Sequence, residues 1–208
     1  MVATGTAKPA AGLVRRRPRQ RRARQTVEAI LDAVIRVLKR EGFNAVTTNH
    51  IAEVAGVSIG SVYQYFPDKR AIFIELHQRH LEQIDRLVET TLVRHARSSL
   101  EELMRALVDA MVDAHKQDPE LYDLLSSQVP HRAAGTRDFA VRLHGAFRLA
   151  IAARQELKKG HDPDSAAFVV TNMVEALSHA AALRRPHGLS LNDAKEEAVR
   201  AVLAYLKA

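Results

Sequence analysis

One short segment of this chain concentrates side chains that can hydrogen-bond with a partner molecule. Ser61, Tyr63, Gln64 and Tyr65 lie almost side by side, and Lys69 follows four residues later. Aromatic residues make up 5% of the chain, yet two of its four tyrosines lie within three positions here. Amide and hydroxyl groups can contact base edges, and hydroxyl and ammonium groups can contact phosphate oxygens. The spacing therefore indicates a nucleic acid as a candidate partner.

Two short helices joined by a glycine turn are predicted to position these side chains. Thr47 or Thr48 can cap the first helix, and Gly56 can form a sharp turn after it. Ser58 can cap the second helix, which is predicted to continue to Phe66. This order is typical of a helix-turn-helix, whose second helix can enter the major groove of DNA.

The second helix is predicted to have an inner and an outer side. The inner residues are Val57, Val62 and Phe66, and the outer residues are Ile59, Gly60, Ser61, Tyr63, Gln64 and Tyr65. Gln64 and Ser61 could contact base edges, and Ile59 could touch a thymine methyl group. The tyrosine hydroxyls and Lys69 could contact phosphates, although either tyrosine ring could instead pack on the scaffold.

The whole chain is predicted to be all-α, with about nine helices and no strand pattern. The first helix starts near Thr26 and ends at Gly42, and Asp68 caps a long helix after the helix-turn-helix. The later helices are predicted at Ser99–Lys116, Glu120–Ser126, Thr136–Lys159, Ser165–Arg184 and Leu191–Leu206. We therefore expect a basic flexible arm at 1–24, a DNA-binding domain at 25–70 and a second helical domain at 71–208.

The positive charge is concentrated near the N-terminus. The net charge is +7, and residues 1–27 contain eight basic and no acidic side chains, which leaves 23 basic and 24 acidic residues elsewhere. Such a segment cannot bury enough apolar surface to fold alone, and it is attracted to polyanions. DNA is the expected partner of this arm, and the alternative is a solvated tail.

The absence of cysteine excludes disulfides and thiol chemistry and favours a reducing cytoplasm. No apolar run is expected to approach the roughly 18 residues that span a bilayer, so no membrane association is expected. His77 and His80 are three residues apart, but a third ligand is not evident, so no metal site and no cofactor are expected. No catalytic motif stands out, and an enzyme is not expected.

The segment 47–73, TTNHIAEVAGVSIGSVYQYFPDKRAIF, resembles the DNA-binding signature of the TetR/AcrR (tetracycline-repressor) family. The resemblance implies three N-terminal DNA-binding helices followed by a ligand-binding and dimerisation domain. It implies a transcriptional regulator, most often a dimeric repressor that a small-molecule effector releases from a palindromic operator. A ligand-independent architectural DNA-binding protein is the alternative.

The same resemblance assigns roles to individual residues. Thr48, Tyr63, Tyr65 and Lys69 match phosphate-contacting positions, and Asn49 matches a position that can reach a base. Ser58, Ile59, Gly60 and Ser61 match the start of the recognition helix. Gln64 matches a variable position and is the expected determinant of sequence preference.

The C-terminal helices are expected to serve dimerisation and effector binding. The resemblance implies that the helices Ser165–Arg184 and Leu191–Leu206 pair with their symmetry mates in a homodimer, although a buried core helix would show the same apolar pattern. Apolar candidates for the effector pocket are Leu103, Leu107, Met111, Tyr122, Leu125, Phe139, Leu143, Phe147, Phe168 and Met173. Polar candidates are Arg142, His144, Asn172, Glu175 and His179.

Overall fold

The computed structural model describes residues 21–129, 136–154 and 162–207, which are helical almost throughout. These residues form nine α-helices and no strand, which confirms the predicted all-α class. The helices are α1 (Arg21–Glu41), α2 (Thr48–Ala55), α3 (Ile59–Tyr65), α4 (Lys69–Arg94), α5 (Leu100–Gln117), α6 (Pro119–Gln128), α7 (Thr136–Ala152), α8 (Pro163–Leu183) and α9 (Leu191–Lys207). A short 3-10 turn, Phe43–Ala45, links α1 to α2.

The described residues form two compact units. The first contains residues up to Gln78 together with 124–129, and the second contains residues from Arg79 to Asp123, 136–154 and 162–207. In the first unit, α1, α2 and α3 pack against one another. The buried face of α1 comprises Val27, Ile30, Leu31, Ala33, Val34, Val37 and Leu38. The predicted domain limit at residue 70 differs from this division and stays a prediction.

The start of α1 moves one predicted boundary. Because the helix begins at Arg21, the side chains of Arg21, Arg22 and Arg24 lie on its first turn and not in a flexible arm. The remainder of the predicted arm, residues 1–20, lies outside the described residues. The three arginines are therefore carried by a fixed helical backbone.

Local chemistry sets the turns of the helix-turn-helix. Thr47 caps α2, its hydroxyl accepting from the backbone N–H of His50 at 3.2 Å. Gly56 ends α2 in the left-handed region (φ 67°, ψ 32°), which glycine enters without the strain that a Cβ would add. Ser58 then caps α3 by accepting from the N–H of Ser61 at 3.1 Å. The predicted caps and turn are thus confirmed.

The core of the second unit lies among α5, α7, α8 and α9. Ser99 and Glu102 form a reciprocal capping box at the start of α5, and Asp162 caps α8. Helix α8 buries Ala166, Ala167, Val170, Val174, Ser178 and Ala181. Partly exposed ion pairs, Arg105 with Glu196 and Lys195 with Asp109, join α5 to α9.

The predicted end of α7 is wrong. The helix ends at Ala152, whereas Lys159 was expected, and residues 155–161 lie outside the described part of the chain. The Arg154 guanidinium donates to the Ala150 carbonyl at 2.6 Å and to the His95 carbonyl at 2.7 Å. Arg154 thus satisfies a terminal carbonyl of α7 and joins the helix end to the turn before α5.

Helix α8 also corrects the expectation about membrane-spanning segments. Among the described residues, α8 is the one helix whose length and apolar composition would allow it to cross a bilayer. The same pattern occurs in core helices of soluble proteins, and α8 packs against three helices of its own unit.

A pair of glycine substitutions tests the turn. We expect Gly56→Ala to lower the free energy of unfolding by about 1–2 kcal/mol, because an L-residue is strained in the left-handed region. Gly60→Ala is the matched control: its added Cβ would meet only the Ser58 Oγ, at 3.8 Å, and alanine favours a helix by up to about 1 kcal/mol. Urea denaturation followed by circular dichroism measures both. Equal effects of the two substitutions would contradict this account.

Candidate nucleic-acid interface

One side of α3 is buried in the first unit. Val62 and Phe66 are fully buried, and Tyr65 is 7% exposed. The expectation that Tyr65 lies on the outer side is therefore wrong. The three residues occupy positions i, i+3 and i+4, which share one helical face, so Tyr65 must lie on the side of Val62.

The opposite side of α3 is free to contact a partner. Tyr63 is 43% exposed and Ile59 is 37% exposed. Gln64, Ser58 and Gly60 are also exposed, and Ser61 is half-buried. The prediction of an exposed outer side is therefore confirmed for Ile59, Gly60, Tyr63 and Gln64, holds in part for Ser61 and is wrong for Tyr65.

Two hydroxyl groups from different helices meet beside this surface. The Thr48 Oγ1 and the Tyr63 hydroxyl oxygen are 3.2 Å apart, so one donates to the other. Thr47 supplies the cap of α2, which leaves the Thr48 side chain available for this contact. Asn49, the next residue of α2, is exposed. The two short helices thus present neighbouring polar groups of the kind that contact phosphates.

The Ser61 hydroxyl is already engaged in the cap of α3. Its oxygen lies 2.9 Å from the Ser58 Oγ, which also accepts the Ser61 backbone N–H. Each hydroxyl can donate once and accept twice, so both retain capacity for a further bond. Gln64 makes the more independent candidate for contact with a base.

Lys69 has an intramolecular partner that the sequence did not reveal. Its Nζ lies 5.1 Å from the Phe43 ring centroid and 5.7 Å from that of Phe73, which places the charge over aromatic faces. Asp68 caps the helix as predicted, accepting from the Ala71 N–H at 2.8 Å. The ammonium group is therefore held near the start of α4.

Polar contacts fix α2 against α1. The His50 ring bonds to Glu41 at 2.9 Å and to Glu53 at 3.2 Å, and these hydrogen bonds raise the His50 pKa, Glu41 having the larger effect. Arg36 donates to the Val54 carbonyl near the end of α2 at 3.0 Å. Sequence reasoning missed these supporting residues, because the partners are separated along the chain.

The apolar pocket candidates have different environments. Leu103, Leu107, Met111, Leu125, Leu143 and Phe147 are buried, and Tyr122, Phe139 and Met173 are partly buried. Phe168 is 64% exposed, so its predicted place in an internal pocket is wrong. Its neighbours Ala167 and Val170 take the inward positions of α8.

Four rings of the second unit lie together: His80, His115, Tyr122 and His179, called the ring cluster below. The Tyr122 centroid is 4.7 Å from that of His115, 4.6 Å from that of His179 and 5.9 Å from that of His80. His77 and His80 are both half-buried. No group of three or more metal-ligating side chains occurs in the described residues. His115 was not anticipated from the sequence.

Two family models match the chain. Residues 30–76 match the model described as bacterial regulatory proteins of the tetR family. Residues 99–206, just over half of the chain, match the model of the tetracyclin repressor-like C-terminal domain.

Individual relatives agree with these matches. The transcriptional repressor KstR of Mycolicibacterium smegmatis is 37% identical over 62 residues, 30% of each protein. Its counterpart from Rhodococcus jostii matches over 44% of its own length, so the chain spans less than half of these curated relatives.

Solved structures share the fold. The TetR family regulator PfmR of Thermus thermophilus has a TM-score of 0.61 at 19% identity, covering 86% of this chain and 97% of its own. A protein from Saccharomonospora viridis, solved in complex with choline, has a TM-score of 0.64 at 16% identity, covering 86% and 96%.

The families that match this chain are families of transcriptional regulators and not of enzymes, as was expected from the sequence. The buried inner side of α3, its polar outer side and the glycine turn are those of a helix-turn-helix. The chain belongs to the TetR family of bacterial transcriptional regulators.

Proposed function

We propose that the protein is a cytoplasmic, homodimeric repressor that binds a palindromic DNA operator through α2 and α3 and is released by a small-molecule effector. The observation that carries the proposal is the polar outer side of α3. Tyr63 is 43% exposed and bonded to Thr48, and Gln64 is exposed beside it. Tyr63, Thr48 and Lys69 would contact phosphates, whereas Gln64 would contact base edges.

A second copy of this chain would complete the binding unit. A symmetric dimer presents two recognition helices about 34–36 Å apart to successive major grooves. On α8, Val169, Met173, Ala176, Ala180 and Leu183 follow one face at spacings of three and four residues, and all keep exposed surface. Most of the apolar face of α9, in contrast, is buried in its own unit. The α8 face is therefore the better candidate for the interface.

An effector would act on the second unit by population shift. A ligand that binds one arrangement of the dimer more tightly than the other shifts the equilibrium by that difference in affinity. The Saccharomonospora viridis protein of the same fold binds choline in its crystals, which supports a small-molecule site. The buried residues Leu103, Leu107, Met111, Leu143 and Phe147 remain candidate lining residues.

Removing single hydroxyls tests the phosphate contacts. We expect Tyr63→Phe and Thr48→Val each to weaken DNA binding about tenfold, because each variant loses a hydrogen bond to a charged phosphate. The loss should be the same for every DNA sequence. Because both hydroxyls belong to one contact, the double variant should lose less than the two separate losses combined. Fluorescence anisotropy with labelled duplexes measures these affinities. Tyr65→Phe is the control, and an equally large loss for that buried ring would contradict the assignment.

Gln64 is predicted to determine sequence preference. Selection of bound duplexes from a random pool should give a palindrome with the unmodified protein and a different or relaxed half-site with Gln64→Ala. The expected discrimination lost is about 1–3 kcal/mol at one base pair. Tyr63→Phe serves as the contrast, since its selected site should be unchanged. If the unmodified protein selects no preferred sequence, the protein is better explained as a ligand-independent architectural DNA-binding protein than as a regulator.

The exposed apolar face of α8 is predicted to hold the dimer together. Ala176→Arg should shift the sedimentation coefficient from dimer to monomer, because a buried unpaired charge costs several kcal/mol. The helix itself should persist, since Ala176 is exposed in the single chain. Gln83→Arg, at an exposed position of α4, should leave the dimer intact. A dimer that tolerates Ala176→Arg would place the interface elsewhere.

A further inference from the structure

The ring cluster joins four helices, α4, α5, α6 and α8, and contains a buried acceptor without a partner. His115 is 2% exposed, and its Nδ1 lies 2.8 Å from the Met111 carbonyl oxygen. A carbonyl oxygen can only accept, so Nδ1 carries the hydrogen and Nε2 has a free lone pair in the neutral ring. Burial, the largest cause, lowers the His115 pKa and so favours this neutral form. Nε2 is buried and makes no hydrogen bond in the described structure.

The face of α8 beside His179 is also polar and incompletely bonded. Thr171, Glu175 and His179 follow one another at intervals of four residues, so their side chains are neighbours on the helix surface. Ser178 is fully buried, and neither its Oγ nor the Thr171 Oγ1 has a partner among the described residues. Buried polar atoms are normally paired, and those left over in a native fold call for an explanation such as a bound molecule.

Glu175 combines two properties that identify its surroundings. Its side chain retains exposed surface, yet desolvation by the surrounding protein raises its pKa. Other parts of the protein therefore lie near the Glu175 side chain, which can still be reached from solvent. Desolvation is the cause of the shift, and within the described ranges no neighbouring charge or hydrogen bond stabilises the carboxylate.

We propose that Glu175, His115 and the ring cluster form the polar end of the effector site, and that the effector is an apolar molecule with a protonated primary or secondary amine. This rests on the proposed effector-regulated function. The Glu175 carboxylate would pair with the ammonium charge, and the His115 Nε2 would accept one of its N–H groups. The ring faces would attract the carbon atoms next to the nitrogen, which carry part of the positive charge of the ammonium group. Apolar core side chains beside the cluster, such as Met111 one turn before His115, would meet the remainder of the molecule.

Other ligand classes fit these groups less well. A carboxylate ligand would meet the Glu175 carboxylate and the His115 lone pair, and both repel an anion. A pure hydrocarbon would leave the Nε2 acceptor unpaired in a dry site, which costs free energy. A quaternary ammonium carries the charge but has no N–H for His115.

Isothermal titration calorimetry without DNA tests the proposal with four ten-carbon probes: decylammonium, decyltrimethylammonium, 1-decanol and decanoate. We expect decylammonium to bind at least about tenfold more tightly than decanoate, a difference typical of one desolvated charge contact. Glu175→Gln should lower the affinity for decylammonium about tenfold and leave the affinity for 1-decanol unchanged. Glu82→Gln, which removes a solvent-facing carboxylate on α4, is the matched control and should change neither.

His115→Phe separates the N–H contact from the charge. The ring is retained in the core while the Nε2 acceptor is lost, so decylammonium should lose several-fold affinity and decyltrimethylammonium should not. Thermal unfolding of each variant establishes that the unit is intact. Equal losses for both ammonium probes would remove His115 from the site.

The proposed effector chemistry fails if decanoate binds as tightly as decylammonium, if Glu175→Gln leaves decylammonium affinity unchanged, or if no probe binds. The proposed regulatory function is measured separately, by anisotropy with the selected operator. Specific operator binding without amine binding would overturn the effector class alone. Amine binding that leaves the operator complex intact would support the site and overturn release by this effector.

Discussion

The surface that we propose to face DNA depends on the burial of Val62, Tyr65 and Phe66. A helix of seven residues is unstable in isolation, so α3 owes its existence and its orientation to these tertiary contacts. The Gly56 turn sets where the helix begins, and the three inward side chains set its rotation. Once both are fixed, Tyr63 and Gln64 can only point outward. The recognition surface is therefore a consequence of the core beneath it.

Local chemistry made much of this fold predictable. The glycines after α1 and α2 and the Ser58 cap act through their immediate neighbours, and each lies where it was predicted. The same local evidence misled at α7, whose end was predicted at Lys159 and lies at Ala152. At this end of α7, Arg154 donates to the carbonyl of His95, which lies 59 residues earlier in the chain. A prediction from neighbouring residues alone cannot detect a contact over that separation.

Placement of the candidate site was predictable only in part. Tyr65 was assigned to the outer side from its residue type, although its spacing from Val62 favoured the inner side. Lys69 was expected near a phosphate, but its position over Phe43 and Phe73 depends on how the turn after α1 packs. The ring cluster draws on α4, α5, α6 and α8, so only the assembled unit brings His115 beside Tyr122. Residue type and periodicity locate a helix face, whereas tertiary packing decides what that face meets.

Helix α8 has three different environments around its circumference. One side supplies Val170 and Val174 to the core, another carries Ala176 and Ala180 at the surface, and the third carries Glu175 beside His179. An α-helix is stiff in cross-section, so one side cannot be displaced while the others stay still. A rotation of this rod by a few degrees would alter all three environments together. Mechanical coupling between the proposed amine site and the proposed subunit contact would then need no intervening chain of residues.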